Sequence, residues 1–557
     1  NLNQYFMSRN KINIYVFIVL FGIRFLSQAQ ITADSKSSDD HLNRPEREEW
    51  FRNLGLGMMI HWSVDSQLGT VISHSIVGSS EDYRQRYYTE LPKTFNPTRF
   101  DADEIARTAR LAGMKYIVFT TKHHSGFCMW DTKTTDFNIM NTPYGKDVVK
   151  EFVDATRKYG LAVGFYYSPE DWLFVDQQGA LVKRVDRDSI AAPFREEYDQ
   201  FVRDQMRELL TNYGDIDILF LDGGFWPPAK EITWRLQPHT VITRGAMESP
   251  EQTIADVILD RPWESVISIN NQWQYKPTNK FIKDGNKQIK MLIESRAKGG
   301  NLLLNLSLKP NGKFDMAEEE PLYELAAWVF VNQESLYDVR PWIVSHEGDI
   351  WFTKAIDEST IYVHLTGHES WERGKRKNYV LKSLKATKDT EIEVLGHDGL
   401  VVEYQPNNDP KSYFVQKEDG LHLSVIRAQR IYNNNFWPNP VVVKLTHVEP
   451  TYVPPTFETL DAEIDQDQVY FKGRVLDFKD FDEVLVRFEY RIYPGFHESI
   501  YYDTWEETDW FAINTTNEFR IKTAEFLAIN KEYEFRVVLK TDFGNIKGNL
   551  KEVEIPK

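Results

Sequence analysis

The sequence predicts an α/β protein: a (β/α) TIM-like barrel followed by antiparallel β-sheet modules. Three observations carry this. Apolar runs alternate with amphipathic helical patterns through the first 340 residues; beyond them short runs alternate in polarity; and polar and aromatic side chains gather where the apolar runs end. The runs at 56–62, 116–124, 161–168, 216–222, 240–244, 266–270 and 302–305 read as parallel strands buried on both faces. Between them, Asp101 with Glu104 forms a capping box before a helix that stops at Gly113. Asp147 opens another that stops at Gly160, and Phe194, Tyr198, Phe201, Val202, Leu209, Leu210 and Tyr213 share one helical face ahead of Gly214. A doubly wound sheet is the runner-up, but neither a GxGxxG nor a P-loop pattern favours it.

The remaining chain divides by pattern. Residues 341–449 carry short alternating runs at 350–353, 361–365, 379–381 and 441–445, expected to form a β-sandwich. The Pro-containing stretch from Val448 to Pro455 reads as a linker. Runs at 484–490 and 533–539 then suggest a fibronectin type III-like module within 450–557. At the other end, Arg9 and Lys11 precede the apolar run Ile14–Ile23, and Ser27-Gln28-Ala29-Gln30 offers small residues for cleavage after Ala29. Residues 1–29 are thus expected to be a signal peptide, 30–44 a polar leader and 45–340 the barrel, in a periplasmic or secreted protein. The run is too short to span a bilayer, so no membrane insertion is expected.

Composition narrows the function. With 66 Lys and Arg against 83 Asp and Glu, the 557-residue chain carries a net charge of −17, which disfavours nucleic acid as a partner. Aromatics make up 14%, including 15 Trp and 27 Tyr, and aromatic faces suit the C–H faces of sugars. The one cysteine, Cys128, forbids an intramolecular disulfide.

In a barrel the chemistry sits at the C-terminal ends of the strands. The runs end in His61, His123-His124, Tyr166-Tyr167, Asp222 and Arg244, and Glu264 stands immediately before the sixth. Asp222, after an apolar run and before two glycines, suits a nucleophile or base. Glu264, beside Trp263, suits a proton donor of raised pKa, with Glu81 and Glu248 as rivals on nearby loops. Two carboxylates with histidines and aromatics are what glycoside cleavage requires. No metal or cofactor is expected: adjacent residues of an extended strand face opposite ways, so His123 and His124 are not placed to share one ion.

Several stretches carry a resemblance. Gly57-Met58-Met59-Ile60-His61-Trp62, Thr120-Thr121-Lys122-His123-His124-Ser125-Gly126-Phe127, Gly164-Phe165-Tyr166-Tyr167-Ser168, Leu219-Phe220-Leu221-Asp222-Gly223-Gly224, Pro262-Trp263-Glu264 and Gly299-Gly300-Asn301-Leu302-Leu303-Leu304-Asn305 resemble the α-L-fucosidases of glycoside hydrolase family 29. The resemblance implies a retaining exo-α-L-fucosidase acting on terminal fucosyl residues of oligo- or polysaccharides. It implies Asp222 as nucleophile, Glu264 as acid/base with Glu81 as the alternative, and His61, Glu81, His123, His124, Tyr166 and Arg244 as groups that hold the sugar. Asp82 and Ser125 depart from the family pattern and would suit the extra hydroxyl of L-galactose, so an exo-α-L-galactosidase is the alternative. A non-catalytic carbohydrate-binding protein is the other.

Overall fold

The computed structural model describes residues 43–180, 182, 192–223, 226–259, 261–356, 359–367, 371–428, 439–465, 468–492, 505–523, 527, 531–541 and 544–555. The expected signal peptide and nearly all of the polar leader lie outside the described residues.

Seven strands form one parallel sheet: β1 (Leu56–His61), β2 (Tyr116–Lys122), β3 (Ala162–Tyr167), β4 (Ile218–Leu221), β5 (Val241–Ile242), β6 (Glu264–Ser268) and β7 (Asn301–Ser307). Their order is β5-β4-β3-β2-β1-β7-β6. The segment 248–252, which follows β5, runs parallel along β6 through the bridges Glu248–Trp263 and Glu251–Val266. Gln252 N–H donates to Val266 O at 2.8 Å there, and Val266 N–H to Pro250 O at 3.0 Å. The sheet is thereby curled toward a closed barrel. Its strands are apolar on both faces because one face fills the interior and the other meets helices. Met59, Val118, Tyr166, Phe220, Val241, Val266 and Leu303 pack inside with Phe51 of α1 (Pro45–Leu54). Ile60, Ile117, Phe119, Val163, Phe165, Leu219 and Leu304 pack outward.

The helices follow their sequence signals. α2 (Glu81–Thr89) and α3 (Leu91–Thr94) precede α4 (Ala102–Leu111), where Asp101 accepts from Glu104 N–H at 3.0 Å. In α5 (Val148–Lys158) Asp147 accepts from Lys150 N–H at 2.9 Å. After α6 (Trp172–Gln177), the 18-residue α7 (Arg195–Asn212) buries Tyr198, Val202, Met206, Leu209 and Leu210. α8 (Trp226–Leu236), α9 (Gly285–Ala297) and α10 (Met316–Asn332) complete the outer layer. α1 covers the N-terminal end of the barrel: Phe51 packs 5.7 Å from the Tyr116 ring, and its carbonyl accepts from Asn301 Nδ2 at 2.7 Å. Tyr116 reaches that place because Gly57 has no Cβ; one there would sit 2.3 Å from the ring.

Beyond the barrel every described pairing is antiparallel. β8 (Val339–Glu347), β9 (Ile350–Ala355), β10 (Ile361–Leu365), β12 (Leu384–Val394) and β15 (Val441–Pro450) make a five-stranded sheet. β11 (Arg376–Leu381), β13 (Tyr413–Lys417) and β14 (Gly420–Ile426) make a three-stranded one. Both contribute to the same apolar core as the barrel, through Phe352, Val363, Leu423 and Val443. The stretch expected to be a linker is partly strand: β15 continues to Pro450, opposite Leu384, at a strand end where a missing N–H does little harm. From β16 (Thr456–Asp465) onward the chain has a separate core. β17 (Gln468–Asp477), β18 (Val484–Ile492), the short β19 (Glu506–Glu507) and β20 (Phe511–Ile513), β21 (Glu518–Lys522) and β22 (Glu532–Thr541) surround Phe471, Phe488, Phe535 and Val537. The rings of Phe471 and Phe535 stack at 4.1 Å. Cys128 is fully buried beside Gln205, and burial pushes its thiol well up.

Candidate active site

β1, β3 and β4 deliver the central groups. His61 is the last residue of β1, Tyr166 the penultimate of β3, and Asp222 follows β4 directly. Arg244 lies two residues beyond β5. Tyr166 hydroxyl donates to Asp222 Oδ2 at 2.5 Å, Gly223 N–H to Oδ1 at 2.9 Å, and Arg244 Nη1 to Oδ1 at 3.2 Å. His124 Nε2 is 3.7 Å from Oδ2. Burial alone would raise the pKa of Asp222. The Arg244 guanidinium overcomes it, with the two imidazoles and the Tyr166 hydroxyl, and holds the carboxyl well below its usual range. An ionised carboxylate in a mostly enclosed site is the state a nucleophile needs.

The imidazoles are fixed by their outer nitrogens. His61 Nδ1 meets Asn305 Oδ1 at 2.6 Å. Asn305 Nδ2 donates to the Trp273 carbonyl at 3.0 Å, which sets the amide's orientation and makes His61 Nδ1 the donor. Burial lowers the His61 pKa to about 4, so at neutral pH its Nε2 is an acceptor, suited to a sugar hydroxyl. His123 Nδ1 lies 2.8 Å from Ser73 Oγ and His124 Nδ1 2.6 Å from Ser168 Oγ. His123 stacks on Tyr166 with ring centroids 5.4 Å apart, while Trp273 packs 5.2 Å from His61 and Trp172 5.1 Å from His124.

His123 and His124 do not face opposite ways as expected; their rings are 4.2 Å apart. β2 ends at Lys122 after a register shift, and a turn closed by Gly126 N–H on His123 O breaks the alternation. With Asp222 they offer three ligand atoms within 4.8 Å of one another. Yet the same carboxylate already takes the Arg244 guanidinium, the Tyr166 hydroxyl and a backbone N–H, surroundings that repel a cation.

The structure does not bring Glu264 to Asp222. Glu264 is the first residue of β6 and pairs with Asn301, whereas Asn305, four residues further along β7, is the one that meets His61. Four residues of strand span about 13 Å. Glu264 lies at the covered N-terminal end, fully buried, taking a hydrogen bond from Tyr116. Its pKa is raised to about 7 as the sequence suggested, but the cause is burial in the barrel floor rather than a place at the mouth. Glu81 is exposed in the first turn of α2, and Asp82 is turned outward onto Arg86 at 2.8 Å. Glu248 pairs with Arg261 at 2.7 Å. Ser125 is buried, its N–H donating to Ser73 Oγ.

The carboxylate that does stand by Asp222 is Glu251. Its Oε2 is 2.8 Å from Arg244 Nη1, the nitrogen that Asp222 Oδ1 meets at 3.2 Å. The two oxygens therefore lie within about 6 Å of each other, close to the spacing of about 5–5.5 Å in retaining glycosidases. Both side chains keep a partial opening, 21% for Asp222 and 9% for Glu251. The sequence does not single out Glu251, Asn305, Trp172 or Trp273; the available signal for Glu251 is that it follows strand five, on the loop side of the barrel, whereas Glu264 precedes strand six.

Comparison with known proteins identifies the family. The family model for alpha-L-fucosidase matches residues 24–334. The chain belongs to the alpha-L-fucosidase family. Plasma alpha-L-fucosidase of Homo sapiens is 25% identical over 371 residues, 58% of this chain and 77% of that protein. That of Rattus norvegicus is 24% identical, covering 68% and 89%. Alpha-L-fucosidase isoenzyme 1 from Paenibacillus thiaminolyticus superposes with a TM-score of 0.57 at 27% identity, over 72% of this chain and 99% of that one. A Bacteroides thetaiotaomicron alpha-L-fucosidase, solved as a trapped covalent intermediate with 2-fluoro-fucosyl fluoride, shares the fold at TM-score 0.57 and 21% identity. Like these fucosidases, the chain is a glycoside hydrolase with a barrel and β-sheets behind it.

Proposed function

We propose that this fucosidase is a retaining exo-enzyme in which Asp222 is the nucleophile and Glu251 the acid/base. The observation that carries the reading is the pair of carboxylates held on one Arg244 nitrogen at the C-terminal end of the strands. Asp222 attacks the anomeric carbon as the bond to the departing oxygen breaks, and that oxygen takes the proton of Glu251. Water then attacks the same carbon, gives its proton to Glu251 and frees Asp222, so the sugar leaves with α configuration. His61, His123, His124 and Tyr166 hold the sugar's hydroxyls, with Trp273 beside His61. Arg244 keeps Asp222 ionised between turnovers. We read Met7–Gln30 as an export signal cleaved after Ala29, which places the enzyme in the periplasm or outside the cell, and we read 450–557 as a linker and fibronectin type III-like module.

The test is nitrophenol release from the aryl α-L-fucoside, with the aryl α-L-galactoside alongside. The parent is expected to prefer the fucoside and to release it with retained configuration. Asp222→Asn should lose at least about 10³-fold in kcat, with partial recovery and a β-fucosyl azide product on adding azide. A preference for the galactoside would replace the substrate, and unaltered turnover by Asp222→Asn would remove the nucleophile.

A further inference from the structure

The module with the separate core meets the barrel at Asp256, five residues after Glu251. Arg536, in the middle of β22, is 1% exposed and points its guanidinium edge at this carboxylate. Nη1 donates to Asp256 Oδ1 at 3.0 Å and Nη2 to Oδ2, a two-pronged grip that only a planar cation makes. The Trp505 ring covers Arg536 at 4.5 Å. Glu489 Oε2 accepts from Arg536 Nη2 at 3.0 Å and meets Lys547 Nζ at 3.1 Å. Arg536, Lys547 and, at 3.5 Å, Arg487 thus meet the one module carboxylate, and Asp256, 3.5 Å from Lys547, supplies a further negative charge from the barrel. Arg536 is the kind of buried cation that costs stability unless it is paired, so the pairing holds the barrel loop as much as the module.

The loop needs such a hold. Gln252 is fixed through Val266 and through Ser268 Oγ at 3.0 Å, and the Thr253 carbonyl accepts from Ser265 Oγ at 2.8 Å. Among the described residues the next backbone tie is Leu259 N–H on Lys298 O. The Asp256 side chain anchors the span between. Gln252 also has φ +59, a left-handed backbone outside glycine that persists only when its surroundings enforce it.

We propose that the C-terminal module braces the loop that carries the acid/base: through Arg536 and Asp256 it sets where Glu251 stands over the departing oxygen. This rests on the reading of Glu251 above. Asp256 is a positioning residue, since it acts through Glu251. A misplaced acid slows departure of a poor leaving group and leaves a good one nearly untouched. A merely structural role would lower both alike.

The experiment measures kcat/KM of the full-length enzyme on an α-L-fucosyl disaccharide and on an activated dinitrophenyl α-L-fucoside. The enzymes are the parent, Asp256→Lys, Asp256→Glu and Glu251→Gln. Asp256 is half exposed, and an inactive fraction cancels in the ratio of the two substrates. We expect Asp256→Lys to fall about tenfold or more on the disaccharide and less than about twofold on the activated substrate, with Asp256→Glu restoring most of the loss. Glu251→Gln should show the same bias, more strongly. If Glu251→Gln is biased and Asp256→Lys is not, the brace is wrong and the acid/base stands. If Glu251→Gln shows no bias, both fall.

Discussion

The two ends of the barrel interior hold the same kinds of residue to opposite effect. At the mouth, Asp222 and Glu251 share Arg244, and a tyrosine donates to Asp222. At the floor, Glu264 takes a hydrogen bond from Tyr116, with no salt bridge to it among the described residues and with α1 covering the end. Asp222 is mostly enclosed, Glu264 is fully buried, and both meet a tyrosine. One is held well below its usual range and the other is raised to about 7. A cation at bonding distance, not burial, decides the direction. What can reach the group decides whether the shift serves chemistry.

Removing that cation should have the largest effect. Arg244→Met leaves Asp222 to its burial, so its pKa climbs. Because attack needs the ionised form, the acid limb of the pH profile should move to higher pH, with kcat/KM down about 100-fold at neutral pH. An unmoved limb would mean that Asp222 does not set it. Next comes the floor. Glu264 binds its proton more tightly folded than unfolded, so its contribution to stability is complete below about pH 4.5 and lost as pH rises through about 7. Glu264→Gln has no such loss. Relative to the parent it should gain on the order of 2 kcal/mol between pH 5 and pH 8 in chemical denaturation, while its kcat stays within about twofold. Parallel stability curves, or a lost kcat, would return Glu264 to the chemistry. The smallest effect is expected from Tyr116→Phe, which strips Glu264 of its donor: about 1–2 kcal/mol of stability, read as a lower denaturation midpoint with fucoside turnover kept.

Much of this was legible in the sequence for one reason. A strand buried on both faces is an apolar run, and a polar residue at its end marks the mouth, which is where the pattern puts His61, Tyr166, Asp222 and Arg244. Glu264 stands next to a strand, but adjacency places a residue only when it says which end. Residue 264 precedes its strand and so belongs to the floor. Glu251 was hidden because its segment joins β6 by isolated bridges. Pro250 beside it and a left-handed Gln252 erase any strand signature. Strict alternation sends His123 and His124 to opposite faces, but β2 does not run on, and the shift in its register and the turn after it let both rings stand on one side.

Cys128 has a practical corollary. The chain's one thiol is sealed in the barrel wall, and burial discourages its reactive thiolate. Folding therefore calls for no oxidant or disulfide isomerase, and activity should be indifferent to glutathione, dithiothreitol or alkylating reagents. The same catalyst can work in oxygenated surroundings and in strongly reducing ones.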